Sequence, residues 1–158
     1  MNANDITIDL FSLLNYRANL IVPNVSWGLF PNREVDMLKV TKSGYAHEYE
    51  IKVSASDLKR DHLKLESRKQ VALIRTKTYV MPAAMSKHIT EIPVECGIIL
   101  INEESYPKQH IRGRFNVYRD ATVNSQARKL TAGELYQVAR LGAMRVPGLM
   151  EKVRKGLV

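Results

Sequence analysis

Alternation of apolar and polar positions, the period-2 signature of a half-buried strand, is clearest between residues 35 and 53. Residues 35–40 are rich in β-formers, Lys42, Ser43 and Gly44 supply a turn, and the extended pattern resumes over 46–53. The segment therefore predicts a β-hairpin. Successive strand side chains point to opposite faces, so Glu48, Glu50, Lys52 and Ser54 share one side while Tyr49, Ile51 and Val53 share the other, packed side. Glu34 and Asp36 likewise share a face of the first strand. Pairing in the right register brings Asp36 beside Glu50, with Lys52 next to them.

Elsewhere the pattern alternates between helical and extended. Ile6, Ile8, Leu10, Phe11, Leu13 and Leu14 predict an amphipathic helix over 5–16. Residues 20–29 read as an irregular or edge strand, because proline at position 23 is poorly tolerated inside a sheet, and residues 30–32 read as a turn. Ser56 is placed to cap a helix beginning at Asp57, with Leu58, Leu63, Leu65, Val71 and Ile74 as a partial apolar stripe. Short apolar runs at 78–81 and 97–101 are expected to be buried strands joined by a helix opening at Pro82, a β-α-β crossover. Residues 115–119 suit a last edge strand. Thr131 and Glu134 form a capping box ahead of Leu135, Val138, Leu141 and Met144 at helical spacing. Pro147-Gly148 is expected to end that helix, with a short final one over 149–155. The whole is an α/β fold with a mixed central sheet flanked by helices: a core over 1–125 and a basic helical C-terminal extension over 126–158 packed on the same domain.

Composition narrows the partners. At 158 residues and 45% hydrophobic content the chain is long enough for one domain with a sizeable core. A net charge of +8 puts nucleic acid or an anionic surface first among partners. The single cysteine, Cys96, forms no intramolecular disulfide, which suits a reducing compartment. The acidic N-terminal stretch does not resemble a signal or transit peptide, and no apolar run approaches the roughly 18 residues needed to span a bilayer. A cytoplasmic protein with no membrane association is the expectation.

The hairpin residues suit phosphodiester hydrolysis. The scissile phosphate repels hydroxide, so a divalent cation is needed to neutralise charge and lower the pKa of a bound water. Mg²⁺ (or Mn²⁺) takes oxygen ligands and keeps several waters, so two carboxylates and a substrate phosphate complete its shell. Asp36 and Glu50 can supply that shell, and Lys52 can orient the attacking water or stabilise charge on phosphorus. The competing reading is that Glu48, Glu50 and Lys52 form the solvated face of an amphipathic strand.

Asp36 and Glu50-Ile51-Lys52, followed by Val53-Ser54-Ala55-Ser56-Asp57-Leu58-Lys59-Arg60-Asp61, resemble the PD-(D/E)XK nuclease superfamily, and within it the MmcB-like DNA-repair branch with its E-x-K-x-S-x-x-D-(F/L)-x-x-D block. The similarity continues through Tyr79-Val80-Met81-Pro82, Ile92-Pro93 and Gly97-Ile98-Ile99-Leu100-Ile101, covering residues 30–122. The resemblance implies a restriction-endonuclease-like core and a metal-dependent deoxyribonuclease acting in repair, recombination or a phage or mobile-element process. It implies Asp36, Glu50 and Lys52 as catalytic residues, and Asp36, Glu50 and Ile51 as metal ligands. Val35 replaces the proline of the family name. The first helix lacks the glutamate many relatives carry and offers only Asp5 and Asp9. Asp9 reads equally as a ligand or as an acid complementing the helix dipole. Glu34, Glu48, Ser54 and Gln70 are further candidates, Gln70 because some relatives place a glutamine late in that helix.

Basic residues supply the candidate DNA path. Lys59, Arg60, Lys64 and Arg68 surround the helix after E-x-K and could track a phosphate backbone. Residues 128–158 hold seven bases against Glu134 and Glu151 alone, including Lys152, Arg154 and Lys155. A solvated helix face explains such clusters as well as DNA does. The alternative function is a non-catalytic or partner-dependent nucleic-acid-binding module of the same fold. Cutting both strands of a duplex would call for two copies, so a homodimer is an expectation by fold analogy. His47 falls on the strand face opposite Glu48 and reads as a core or edge histidine.

Overall fold

A computed structural model describes residues 2–26, 29–30, 33–63, 72–102 and 114–156, with the side chains of 61–63 excluded. Helix α1 (Ala3–Leu13) precedes strands β1 (Leu20–Val25), β2 (Val35–Val40) and β3 (Ala46–Ile51). Helix α2 (Ala55–Leu63), β4 (Ile74–Pro82), a 3-10 helix (Ala83–Glu91), β5 (Gly97–Ile101), β6 (Phe115–Arg119) and α3 (Ala132–Arg154) follow. The strands form one six-stranded sheet in the order β1-β2-β3-β4-β5-β6. The β1/β2, β2/β3 and β5/β6 pairs are antiparallel, and β3/β4 and β4/β5 are parallel. This is the expected α/β architecture, a mixed sheet flanked by helices with a helical C-terminal element.

The hairpin forms as its alternation predicts. Leu38 faces Glu48 and Met37 faces Tyr49 in the register. Gly44, at φ +88, closes the turn and donates its N–H to Thr41 O (2.8 Å), a left-handed conformation that costs a residue without Cβ little. One sheet face, with Met37, Tyr49, Ile51, Val80 and Ile99, packs beneath Ile6 and Leu10 of α1 and its C-cap residue Leu14. The other face carries two apolar clusters. Val22, Leu38, Val40, Ala46 and Ile74 pack with Val138 of α3, while Tyr79, Met81 and Ile98 pack with Leu58 of α2 and Met85 of the 3-10 helix. The buried ion cluster described below occupies this same face.

Several boundaries depart from expectation. Helix α1 begins earlier, because Asn2 and Asp5 make a reciprocal capping box that the apolar stripe alone does not reveal. Ile74 belongs to β4 and not to the preceding helix, since opposite Ala46 it enters the core. The Pro82 helix is a 3-10 segment. Pro147-Gly148 does not stop α3, which runs unbroken through both residues. Proline removes one N–H donor from a helix, and because Pro147 is exposed, water can satisfy the acceptor left behind. Part of the turn at 30–32, and Leu65 and Val71 of the second-helix stripe, lie outside the described residues.

Candidate functional site

The start of β2, the end of β3 and the N-termini of α1 and α2 meet at one end of the sheet. Asp36 Oδ2 accepts the Ile51 N–H at 2.8 Å, which ties the acid of β2 to the Glu50-Ile51-Lys52 triplet. A cleft of about 320 Å³ opens there, lined by Asp36, Ile51 and Lys52, by Asn4 and Thr7 of α1, by Pro23 and Asn24 of β1, and by Asp57 of α2. Of the expected trio, Asp36 and Lys52 line the cleft and Glu50 does not. The Ile51 side chain is packed in the core beneath α1, which leaves only its main chain to serve a ligand.

Glu50 stands off the cleft wall and is joined to it by Lys52, whose Nζ donates to Glu50 Oε2 at 3.1 Å. Behind them a chain of buried charges crosses the sheet. Arg33 clamps Glu48 with two hydrogen bonds of 3.0 and 2.6 Å. Lys77 Nζ of β4 lies 2.9 Å from Glu48 Oε1 and 3.9 Å from Glu50 Oε1. The register explains this meeting, since β3 and β4 are parallel with Glu48 opposite Lys77 and Glu50 opposite Tyr79. The solvated-strand reading fails here, because Glu48, Glu50 and Lys52 are all buried.

The two glutamates experience this cluster differently. Burial raises the pKa of Glu48, but Lys77 and Arg33 outweigh it and hold the carboxyl below its ordinary value. Glu50 is pushed up to about 8, by burial above all, which Lys77 offsets only in part because Asp36 and Glu48 repel its charge. Lys52, despite its short contact, is a weaker counterweight. A carboxyl so placed gains from any further positive charge delivered to the cleft.

The remaining candidates separate. Asp9 lies in neither expected role: it is buried on α1 and paired with Arg114, with Oδ1 accepting from Arg114 Nη2 at 3.1 Å. The capping acid of α1 is Asp5. Glu34 is exposed and does not line the cleft. Ser54, and not Ser56, caps α2 by accepting the Asp57 N–H at 3.2 Å. Lys59 and Arg60 are exposed on α2. Lys64, Arg68 and Gln70 lie outside the described residues. Lys155 pairs with Glu151 at 2.7 Å, and Lys152 borders an apolar groove beside β1. His47, half-buried on the inner strand β3, shares a 2.8 Å hydrogen bond with Thr76, and burial, then Lys39 and Arg75, lowers its pKa to about 4, so it is neutral.

Sequence reasoning missed Arg33 and Lys77, and took Asp57 only as part of the E-x-K block and a helix start, not as a cleft residue. Asp57 was visible as an acid three residues past the cap Ser54, in the first turn of a helix that follows E-x-K. Lys77 carried only the weak signal of a charge inside an extended run, and its partner depends on strand order. Among the described residues no group of three or more histidine, cysteine, aspartate or glutamate side chains is arranged to hold a metal ion unaided. Two carboxylates with substrate oxygens and waters are nevertheless a sufficient set for a hard cation. Asp36 on the cleft wall and Glu50 behind it are the carboxylates such a group would draw on. No helix among the described residues is long and apolar enough to cross a membrane.

No family model and no curated protein matches the chain. Among solved structures, the chain is similar to the SPO1766 protein of unknown function from Silicibacter pomeroyi, at TM-score 0.58 and 14% identity, over 89% of this chain and 83% of that one. That likeness is one of fold.

Proposed function

We propose that the protein is a divalent-metal-dependent deoxyribonuclease of the PD-(D/E)XK type, cytoplasmic and acting in DNA repair, recombination or a mobile-element process. The observation that carries this reading is the Asp36 to Ile51 hydrogen bond at the wall of a cleft shared with Lys52. Asp36 and Glu50, with the main chain of Ile51, would hold Mg²⁺ or Mn²⁺. When bound, the cation supplies charge neutralisation and a water of lowered pKa. Lys52, fixed by Glu50, presents a positive charge at the cleft to a phosphate oxygen. The N-termini of α1 and α2 add N–H groups and a favourable dipole for an anion at the same place. Lys59 and Arg60 on α2, with Lys152, Arg154 and Lys155 of α3, would track the DNA backbone without reading bases. Two copies would be needed to cut both strands of a duplex.

One observation favours the second reading, a binding module that cuts nothing: Glu48 and Glu50 already have ion-pair partners in Arg33, Lys77 and Lys52. A Mg²⁺ and Mn²⁺ titration of plasmid nicking, run beside a DNA-binding assay without metal, separates the two. Metal-dependent nicking that Lys52→Ala greatly reduces supports the nuclease. Binding with no nicking at any metal concentration, by protein of confirmed fold, rejects it.

A further inference from the structure

Helix α3 has one apolar stripe with two fates. In its first half Val138 is buried and Leu135 and Leu141 pack against the β1 and β2 side of the sheet. Gly142 marks a close approach, where an added Cβ would lie 3.2 Å from Val22 Cγ2. Beyond it the stripe continues through Val146, Leu149 and Val153, each more than half exposed. Met150 beside them is also more than half exposed.

The far half of α3 forms one wall of a groove of about 780 Å³, whose other wall is Phe11 with Leu20, Ile21, Val22 and Pro23. Contiguous exposed apolar surface of this kind marks an interaction site. The lining of α3 spans Ala139 to Lys152, a length of about 20 Å at 1.5 Å per residue. That is the reach of three to four helical turns, and small residues at 139, 142, 143 and 148 leave room for a second helix to lie alongside.

Charge and backbone chemistry choose the occupant. The charged residues lining the groove are Arg145 and Lys152, with no acid. Among the described residues neither has a carboxylate partner; Arg145 donates to the Leu141 and Asn24 carbonyls. A second copy of a chain carrying +8 would bring like charge to the same rim. An added strand on β1 is opposed by Pro23, which has no N–H, and by Arg145, which already takes the Asn24 carbonyl. We propose that this groove docks an acidic amphipathic helix of a partner protein, its apolar face between α3 and β1 and its carboxylates on Arg145 and Lys152. The proposal stands apart from the nuclease chemistry, although Pro23 lines both the groove and the cleft and Lys152 is shared with the proposed DNA path.

The test uses the full chain and a synthetic helical peptide of about four turns, with leucines on one stripe and glutamates flanking them, followed by fluorescence anisotropy. The controls are a peptide of identical composition in scrambled order and one with lysine for glutamate. The expected result is saturable binding of the first peptide only, weakened about tenfold or more by Ala143→Trp, which plugs the groove from an exposed position, and by Lys152→Glu. Leu149→Asp, also at an exposed position, serves as a second blocking variant should Ala143→Trp lower the thermal midpoint. Equal binding of the scrambled peptide, no binding of the glutamate peptide, or wild-type affinity in both blocking variants overturns the proposal. So does a wild-type dimer in sedimentation that Leu149→Asp makes monomeric, which would give the groove to a second copy. Binding to phosphatidylglycerol vesicles that Leu149→Asp abolishes would give it to a membrane surface and overturn it equally.

Discussion

Glu48 and Glu50 project from the same face of β3, two residues apart, yet one is held as a carboxylate and the other is driven toward its protonated form. Glu48 is enclosed by Arg33 and Lys77, which return the charge stabilisation that water would have given. Glu50 shares Lys77 with Glu48, faces Asp36, and is left with less positive charge than its burial requires. The first environment is that of a structural anchor. The second is that of a carboxyl whose burial is only partly compensated, and Lys52 links it to the cleft wall. A buried acid is thus classified by how far its surroundings satisfy it, not by its burial.

The sharpest break of this comparison is in catalysis. If Glu50 and Asp36 serve the cation, Glu50→Gln and Asp36→Asn should each lower metal-dependent nicking on the order of a thousandfold, several kcal/mol of transition-state stabilisation, with the fold intact. Wild-type rates in either variant would remove both residues from the chemistry.

Glu48 should fail in the other direction. Glu48→Ala leaves Arg33 and Lys77 buried with one fewer partner and should destabilise the protein by about 3–5 kcal/mol, read from urea unfolding. A loss below about 1 kcal/mol would mean that the ion cluster is solvated and the contrast with Glu50 is lost.

Acid and base should then separate the pair. Glu50 has a folded pKa raised from 4.5 to about 8, so its protonated form contributes stability that is full below about 4.5 and is lost as pH rises to about 8. Glu48, with its pKa depressed, contributes stability present above the unfolded value and lost as pH falls through the folded one. Glu50→Gln should therefore flatten the decline in urea midpoint between about pH 4.5 and 8, while leaving the Glu48 acid limb in place. An unchanged alkaline decline would assign that limb to another group.

The smallest effect concerns the basic residues. Each lost phosphate contact lowers the slope of log affinity against log salt by about 0.9, so Lys59→Ala with Arg60→Ala should remove about 1.8. Full engagement of Lys152, Arg154 and Lys155 would remove about 2.7. Because Lys155 already pairs with Glu151 and Lys152 rims the apolar groove, we expect about 0.9 from their joint replacement. A larger loss from α3 than from α2 would move the DNA path to the opposite side of the cleft.

Local pattern determined much of this molecule. Period-2 alternation and Gly44 specify the β2/β3 hairpin, the alternation alone sends Tyr49 and Ile51 to the core opposite Glu50, and the Thr131 and Glu134 capping box starts α3, because each depends on contacts within a few residues. The nearness of Asp36 to Glu50 was legible for the same reason. The tertiary structure decided what neighbours across the sheet supply. Nothing local pairs Lys77 with Glu48, Arg114 with Asp9, or Ile74 with Ala46; those meetings follow from strand order and register. Burial likewise turns a strand that reads as solvated into an ion cluster, and an exposed proline into a tolerated helix residue, because the cost of a charge or a missing donor depends on its surroundings and not on its place in the chain.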